Sequence, residues 1–126
     1  MLHVSYIFVA EEAYFSDGKI SAVNIFDEMP VKVIPSLLEK NIHFIIGITA
    51  EEADDEQEFN IRIRGKGFKV DSQPLKVQFT EYDKICVYNL FIDKFPILSE
   101  GTVYFEAVYK DKVIGKYPVK IFGEED

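Results

Sequence analysis

The amino-acid sequence predicts an all-β protein. Apolar residues alternate with period two through most of the chain, the apolar positions are rich in Val, Ile, Phe and Tyr, and helical spacing is scarce. About eight such segments, separated by short turns, suit a two-sheet antiparallel β-sandwich of immunoglobulin-like or C2-like type better than a closed barrel. The 126 residues, 48% hydrophobic with 11 Phe and 7 Tyr, fit a single domain over residues 1–126 whose core requires no disulfide or metal staple.

His3 to Ala10 is the first expected strand. Ile7 and Val9 point to one face and Val4, Tyr6 and Phe8 to the other, so both faces are apolar and a central, doubly covered position is expected. Ser16-Asp17-Gly18-Lys19 supplies a tight turn, because Gly accepts the positive φ such a reversal needs, and Ile20 to Asp27 follows as the second strand. Glu28-Met29-Pro30 ends it, since Pro lacks a ladder donor. Pro35 to Lys40 is the one place where a short helical turn is expected.

Asn41 to Thr49 is again apolar on both faces and belongs in a sheet interior. Phe59 to Arg64 has one wet face: Phe59, Ile61 and Ile63 point inward, Asn60, Arg62 and Arg64 outward. Gly65-Lys66-Gly67 bulges or reverses the chain, and Leu75 to Thr80 is a half-buried strand. Ile85 to Ile92 is mostly apolar and is expected inside. Phe95 to Gly101 reads as a loop, Thr102 to Lys110 alternates, and Asp111-Lys112 turns it into Val113 to Ile121. Pro118 places that last strand at an edge. No repeat or linker divides the chain, and only Glu124-Glu125-Asp126 is expected to be loose.

Charge narrows the partners. Asp and Glu number 22 against 14 Lys and Arg, a net charge of −8, so the field repels nucleic acid and anionic membrane surfaces. Residues 1–58 hold 12 acids and 3 bases, and residues 59–126 hold 10 and 11, an asymmetry that suits halves facing different neighbours. The lone Cys86 lies in an apolar run and fits a reducing cytosol; the N-terminal segment has no basic region and Glu11-Glu12 breaks its apolar stretch, so a cytoplasmic protein is expected.

Gly18-Lys19-Ile20-Ser21-Ala22-Val23-Asn24-Ile25-Phe26-Asp27-Glu28 resembles the second-strand signature of a family of small bacterial proteins catalogued only as a domain of unknown function. Phe95-Pro96, the aromatic strand Gly101 to Tyr109, the turn at Asp111-Lys112 and Tyr117-Pro118-Val119 resemble its C-terminal part. Asp-Lys replaces the Asp-Gly often seen at that turn. The resemblance implies a β-sandwich and brings no catalytic residues.

Residue chemistry points the same way. His3 and His43 lie in expected strands, away from any nucleophile motif, and with Cys86 they are too few for a zinc site without carboxylates. Gly65-Lys66-Gly67 precedes a strand and not a helix, which excludes a phosphate-cradling loop. No cofactor and no enzyme activity is expected. The acidic run from Glu51 to Glu58, with Glu51, Glu52, Asp54 and Asp55 as candidate ligands, is the basis of an alternative, a Ca²⁺-dependent binding module, although the spacing is not an EF-hand. A hydrolase built from Asp27, Asp83 and Asp93 is a further alternative. Arg62, Arg64 and Lys66 form a candidate interaction patch, as do Lys112, Lys116 and Lys120, and Tyr88, Tyr104, Tyr109 and Tyr117 are candidate sugar-stacking rings better explained by packing. The function expected from all this is a non-catalytic module that binds another protein, or itself, through a sheet edge or end loop.

Overall fold

The computed structural model describes residues 2–38, 40–50, 57–77 and 85–124. Among them lie twelve strands and no helix. One sheet runs in the order β2 (Lys19–Ile25), β1 (Leu2–Ser16), β5 (Ile42–Ala50), β9 (Cys86–Ile92). The other runs β3 (Glu28–Val31), β12 (Lys112–Gly123), β11 (Gly101–Tyr109), β6 (Gln57–Gly65), β7 (Phe68–Asp71), with β8 (Leu75–Val77) also paired to β6. A two-residue pairing of β4 (Ser36–Leu37) with β10 (Pro96–Ile97) completes the set. Every pairing is antiparallel except β3 with β12.

The all-β sandwich expected from the alternation is present, and each of the eight expected strands has its counterpart. The four additional strands, β3, β4, β7 and β10, have two to four residues, too few for alternation to register. Pro30 does not end pairing; it sits in β3, the sheet's edge strand, where a missing donor costs no second ladder. The expected helical turn at 35–40 is replaced by β4: Leu38 donates its N–H to the Phe95 carbonyl at 2.8 Å, and Leu38, Phe95 and Ile97 are all buried. A stretch that short nucleates no helix by itself, so packing decides its form.

The core lies between the sheets. Leu2, Val9, Ile42, Phe44, Ile46 and Ile48 face Phe59, Ile61, Val103, Phe105, Val119 and Ile121 across it, and the Phe44 and Phe105 rings meet edge to face at 5.2 Å. Asp17 and Gly18, both at positive φ, make the expected turn between β1 and β2. The later turn lies one residue earlier than expected: Lys110 and Asp111 take the positive φ values, and Lys112 already pairs with Tyr109.

Two strands sit differently from their expected places. β9 is apolar but is an edge strand among the described residues, paired with β5 alone. β12 is second in its sheet, yet Pro118 stands on the length paired only with β11, because β3 joins from Lys120 onward.

Candidate interaction surface

Where β1, β5 and β9 pair, the side chains that turn away from the core form an uncharged face. Inward positions are taken by Ile7 and Val9 of β1, by Ile42, Phe44, Ile46 and Ile48 of β5, and by Tyr88, Leu90 and Ile92 of β9. Strand alternation therefore sends Tyr6, Phe8 and Ala10, then His43, Ile45 and Gly47, then Val87, Asn89 and Phe91 outward. The register sets them in rows, Tyr6–Gly47–Val87, Phe8–Ile45–Asn89 and Ala10–His43–Phe91, with no Asp, Glu, Lys or Arg in any row.

Gly47 explains how this layer packs. A Cβ there would fall 2.6 Å from the Tyr6 ring, so the glycine lets the ring lie flat across β5, 6.1 Å from the Phe8 ring. Ile45, in the middle row, is fully buried although it points away from the core. Burial pushes the Tyr6 phenol above its ordinary value. The polar groups on the face are occupied by one another: His43 Nδ1 and Asn89 Oδ1 are 3.1 Å apart, and the Ser5 and Thr49 hydroxyls are hydrogen-bonded. The His43 ring also lies 5.0 Å from that of Phe91, which is 51% exposed.

The face continues into an arm. β1 pairs with β5 only as far as Ala10–His43, and beyond it pairs with β2 alone to Ser16–Lys19. Ile25, opposite Ala10, extends the outer row, Val23 stands on the same face opposite Glu12, and near the tip Tyr14 is exposed on that face and Phe15 on the other. At the arm's base Glu11 accepts from Asn24 Nδ2 at 2.8 Å and lies 3.3 Å from the Lys40 ammonium, contacts that hold its carboxyl below the ordinary range. Tyr14 donates to Glu12 at 2.9 Å, which raises the Tyr14 phenol.

The six-stranded sheet presents the opposite kind of outer face. Its register aligns Asp71, Arg62, Glu106 and Lys116 in one row across β7, β6, β11 and β12, so the charges alternate in sign. Arg62 Nε donates to Asp71 at 2.7 Å and Arg64 Nε to Glu106 Oε1 at 3.0 Å, while the Arg64 guanidinium lies 4.4 Å from the Tyr104 ring centre. Glu106 is 0% exposed, and its Oε2 is buried without a hydrogen-bond partner. Arg62 and Arg64 do share one strand face as expected, but each has a carboxylate partner, and Lys66 lies in the turn after them. The sequence reading missed Asp71 and Glu106, because only strand pairing brings them to the arginines. Ile114 is an extra residue in β12, so Lys112 aligns with inward-facing Tyr109 while Lys116 and Lys120 face outward.

The other candidates are scattered. Glu51, Glu52, Asp54, Asp55 and Asp83 lie outside the described residues. Asp27 follows β2, and Asp93 follows β9 beside Leu37, Leu38 and Lys94. Among the described residues no group of three His, Cys, Asp or Glu is placed to hold a metal. Tyr88, Tyr109 and Tyr117 each spend the hydroxyl within the fold, on Lys76 O, Gln57 Oε1 and Phe26 O at 3.1, 2.7 and 2.9 Å. Burial, followed by Cys86 and by Asp27 respectively, raises the Tyr88 and Tyr117 phenols. A groove of about 340 Å³ opens between β7 and β9, lined by Phe68, Val70, Leu90, Phe95 and other apolar side chains. Among the described residues that line it no polar side chain is present to orient a ligand, whereas small-molecule sites place a few such groups.

No protein-family model and no curated protein matches the chain. Solved structures do. A β-glucosidase from Listeria innocua, alone and in complex with glucose, superposes on 98% of this chain with a TM-score of 0.57 at 8% identity. The chain covers 16% of that enzyme's length. An immunoglobulin-like protein from Pseudomonas aeruginosa superposes with a TM-score of 0.51 at 9% identity, over 97% of both chains. These likenesses establish an immunoglobulin-like β-sandwich.

Proposed function

We propose that the chain is a non-catalytic binding module of a bacterial cytosol that recognises protein through the uncharged outer face of its four-stranded sheet. The observation that carries this is the composition of the face: Tyr6, Phe8, Ile45, Val87 and Phe91 stand in register with no charged residue among them. A sheet face left to water normally alternates with polar residues, and a contiguous uncharged, aromatic-rich face is the composition of an interface core. The sequence reading placed the contact at an edge or end loop; the face is the better surface, because both apolar sides of β1 and β5 then have a use.

A photo-crosslinking phenylalanine analogue, placed singly at Phe91 and at Ile25, with Lys69 on the other sheet as control, tests the reading in living cells. Protein adducts are expected from the first two positions and not from Lys69. Equal adducts from Lys69, or none from Phe91 and Ile25, would remove the basis for it.

A further inference from the structure

We infer that the occupant of the uncharged face is a second copy of this chain, packed face to face about a two-fold axis, with each arm lapping the other copy. This rests on the reading of the face given above and adds the identity of the partner.

Charge argues for it first. The chain carries a net charge of −8, yet none of it lies in the three central rows of the face. A strongly basic partner would find no carboxylate in those rows to meet, so the surface that matches them is itself uncharged and rich in aromatic and aliphatic groups. The same face of a second copy has that composition. Repulsion between two such copies comes from residues outside the contact, where a Debye length of about 8 Å damps it.

Area is the second argument. Three strands, β1, β5 and β9, about 4.8 Å apart and each contributing about eight residues at 3.3 Å, present about 380 Å² per copy. The five-pair arm adds about 150 Å², which brings the contact to about 530 Å² per partner, just above the roughly 500 Å² per partner that a specific interface must clear.

The arm is the third. Beyond Ala10 the β1–β2 ribbon has two strands only, and it exposes Tyr14, Phe15 and Val23. An isolated two-stranded ribbon is marginal in water. Lapped over a second copy, the ribbon gains a covering layer on the face that carries Ile25, Val23 and Tyr14, and those exposed groups leave solvent, while Phe15 stays on the opposite face. An isologous contact of this kind closes on itself and stops at the dimer.

Sedimentation equilibrium of the purified chain over a range of concentrations tests the proposal, with three variants beside it. Phe91→Lys puts a charge in the face, Ile25→Lys puts one at the arm's base, and Lys69→Glu alters the opposite sheet. Phe91 and Ile25 are 51% and 56% exposed, so both substitutions leave the monomer folded, which urea midpoints check. The expected result is twice the chain mass for the natural sequence and for Lys69→Glu, with dimer affinity at least about tenfold weaker in each face variant. If one face variant unfolds, the other decides. A monomer at every concentration overturns self-association; if crosslinks from Phe91 then run at the mass of another protein, the face still binds protein and only the partner was wrong. A dimer indifferent to both face variants overturns the geometry.

Discussion

The two outer faces of this sandwich each bury a large central side chain completely, and they do it by opposite means. On the four-stranded sheet that residue is Ile45, set between Phe8 and Asn89 and sheltered by rings lying along the strands. On the six-stranded sheet it is Glu106, set between Arg62 and Lys116 with Arg64 bonded to it. Long cationic side chains cover apolar and polar surface alike while their heads stay wet, so the charged face is complete within the chain. Rings and methyl groups shelter their neighbour but leave their own outer surfaces in water. The charged face therefore covers its centre with its own side chains, and the uncharged one has area to give.

Exchanging the two central residues would separate these designs most widely. Ile45→Glu forces a carboxylate among Tyr6, Phe8 and Val87 with no cation in its row, and is expected to cost about 4 kcal/mol in urea unfolding. Glu106→Leu removes a buried charge and leaves Arg64, 42% exposed, free to hydrate, so the loss is expected to stay within about 1 kcal/mol. Equal losses would show that the charged ladder is as dependent on its centre as the apolar layer is.

Breaking the ladder from its other side gives the next largest effect. Arg64→Ala strands the Glu106 carboxylate, whose Oε2 already lacks a partner, and removes the cation over Tyr104. A loss of about 2 kcal/mol is expected, more than for Glu106→Leu, because a buried charge without a donor is worse than no charge. The reverse order, measured in the same urea series, would show that Arg64 contributes little to the burial of Glu106.

The sequence shows the strands of both faces but not what their outward residues do. Alternation located β1, β5, β6, β11 and β12, and two-sided apolarity correctly marked β5 as interior to its sheet, whereas β1, second in the strand order, pairs with β5 alone over His3–Val9. Carried to β9, the same inference meets an edge strand among the described residues, because an apolar residue on an edge looks the same in sequence whether the protein's own core or another molecule covers it. Arg62 and Arg64 were visible as a pair, but their carboxylates lie 9 and 42 positions away and meet them only through strand pairing. The short strands β4 and β10 follow from the burial of Leu38, Phe95 and Ile97, which no local pattern announces.

Gly47 offers a more local test of the apolar layer. Gly47→Ala places a methyl group 2.6 Å from the Tyr6 ring, which must lift from β5, and a loss of about 1.5 kcal/mol is expected. Combining it with Tyr6→Ala should recover part of that loss in a double-mutant cycle, since the clash then has no second member. Strict additivity would mean that the ring yields without strain and that the layer is softer than its geometry suggests.

The smallest expected effect lies where the uncharged face meets the arm. Glu11 is held below its ordinary value near 4.5 first by the Asn24 amide and then by Lys40, and it is the carboxylate that ties β2 and Lys40, just before β5, to the base of the arm. A carboxyl whose folded value is lowered contributes stability that is fully present above the unfolded value and is lost as pH falls through the folded one. Both partners are solvent-accessible, so Glu11→Gln is expected to cost only about 0.5 kcal/mol at neutral pH. Thermal or urea unfolding of the two proteins should therefore differ at pH 7 and converge as the pH is taken well below 4.5. A difference that persisted in acid would assign the loss to the hydrogen-bond geometry with Asn24, and the arm would then be set by shape and not by charge.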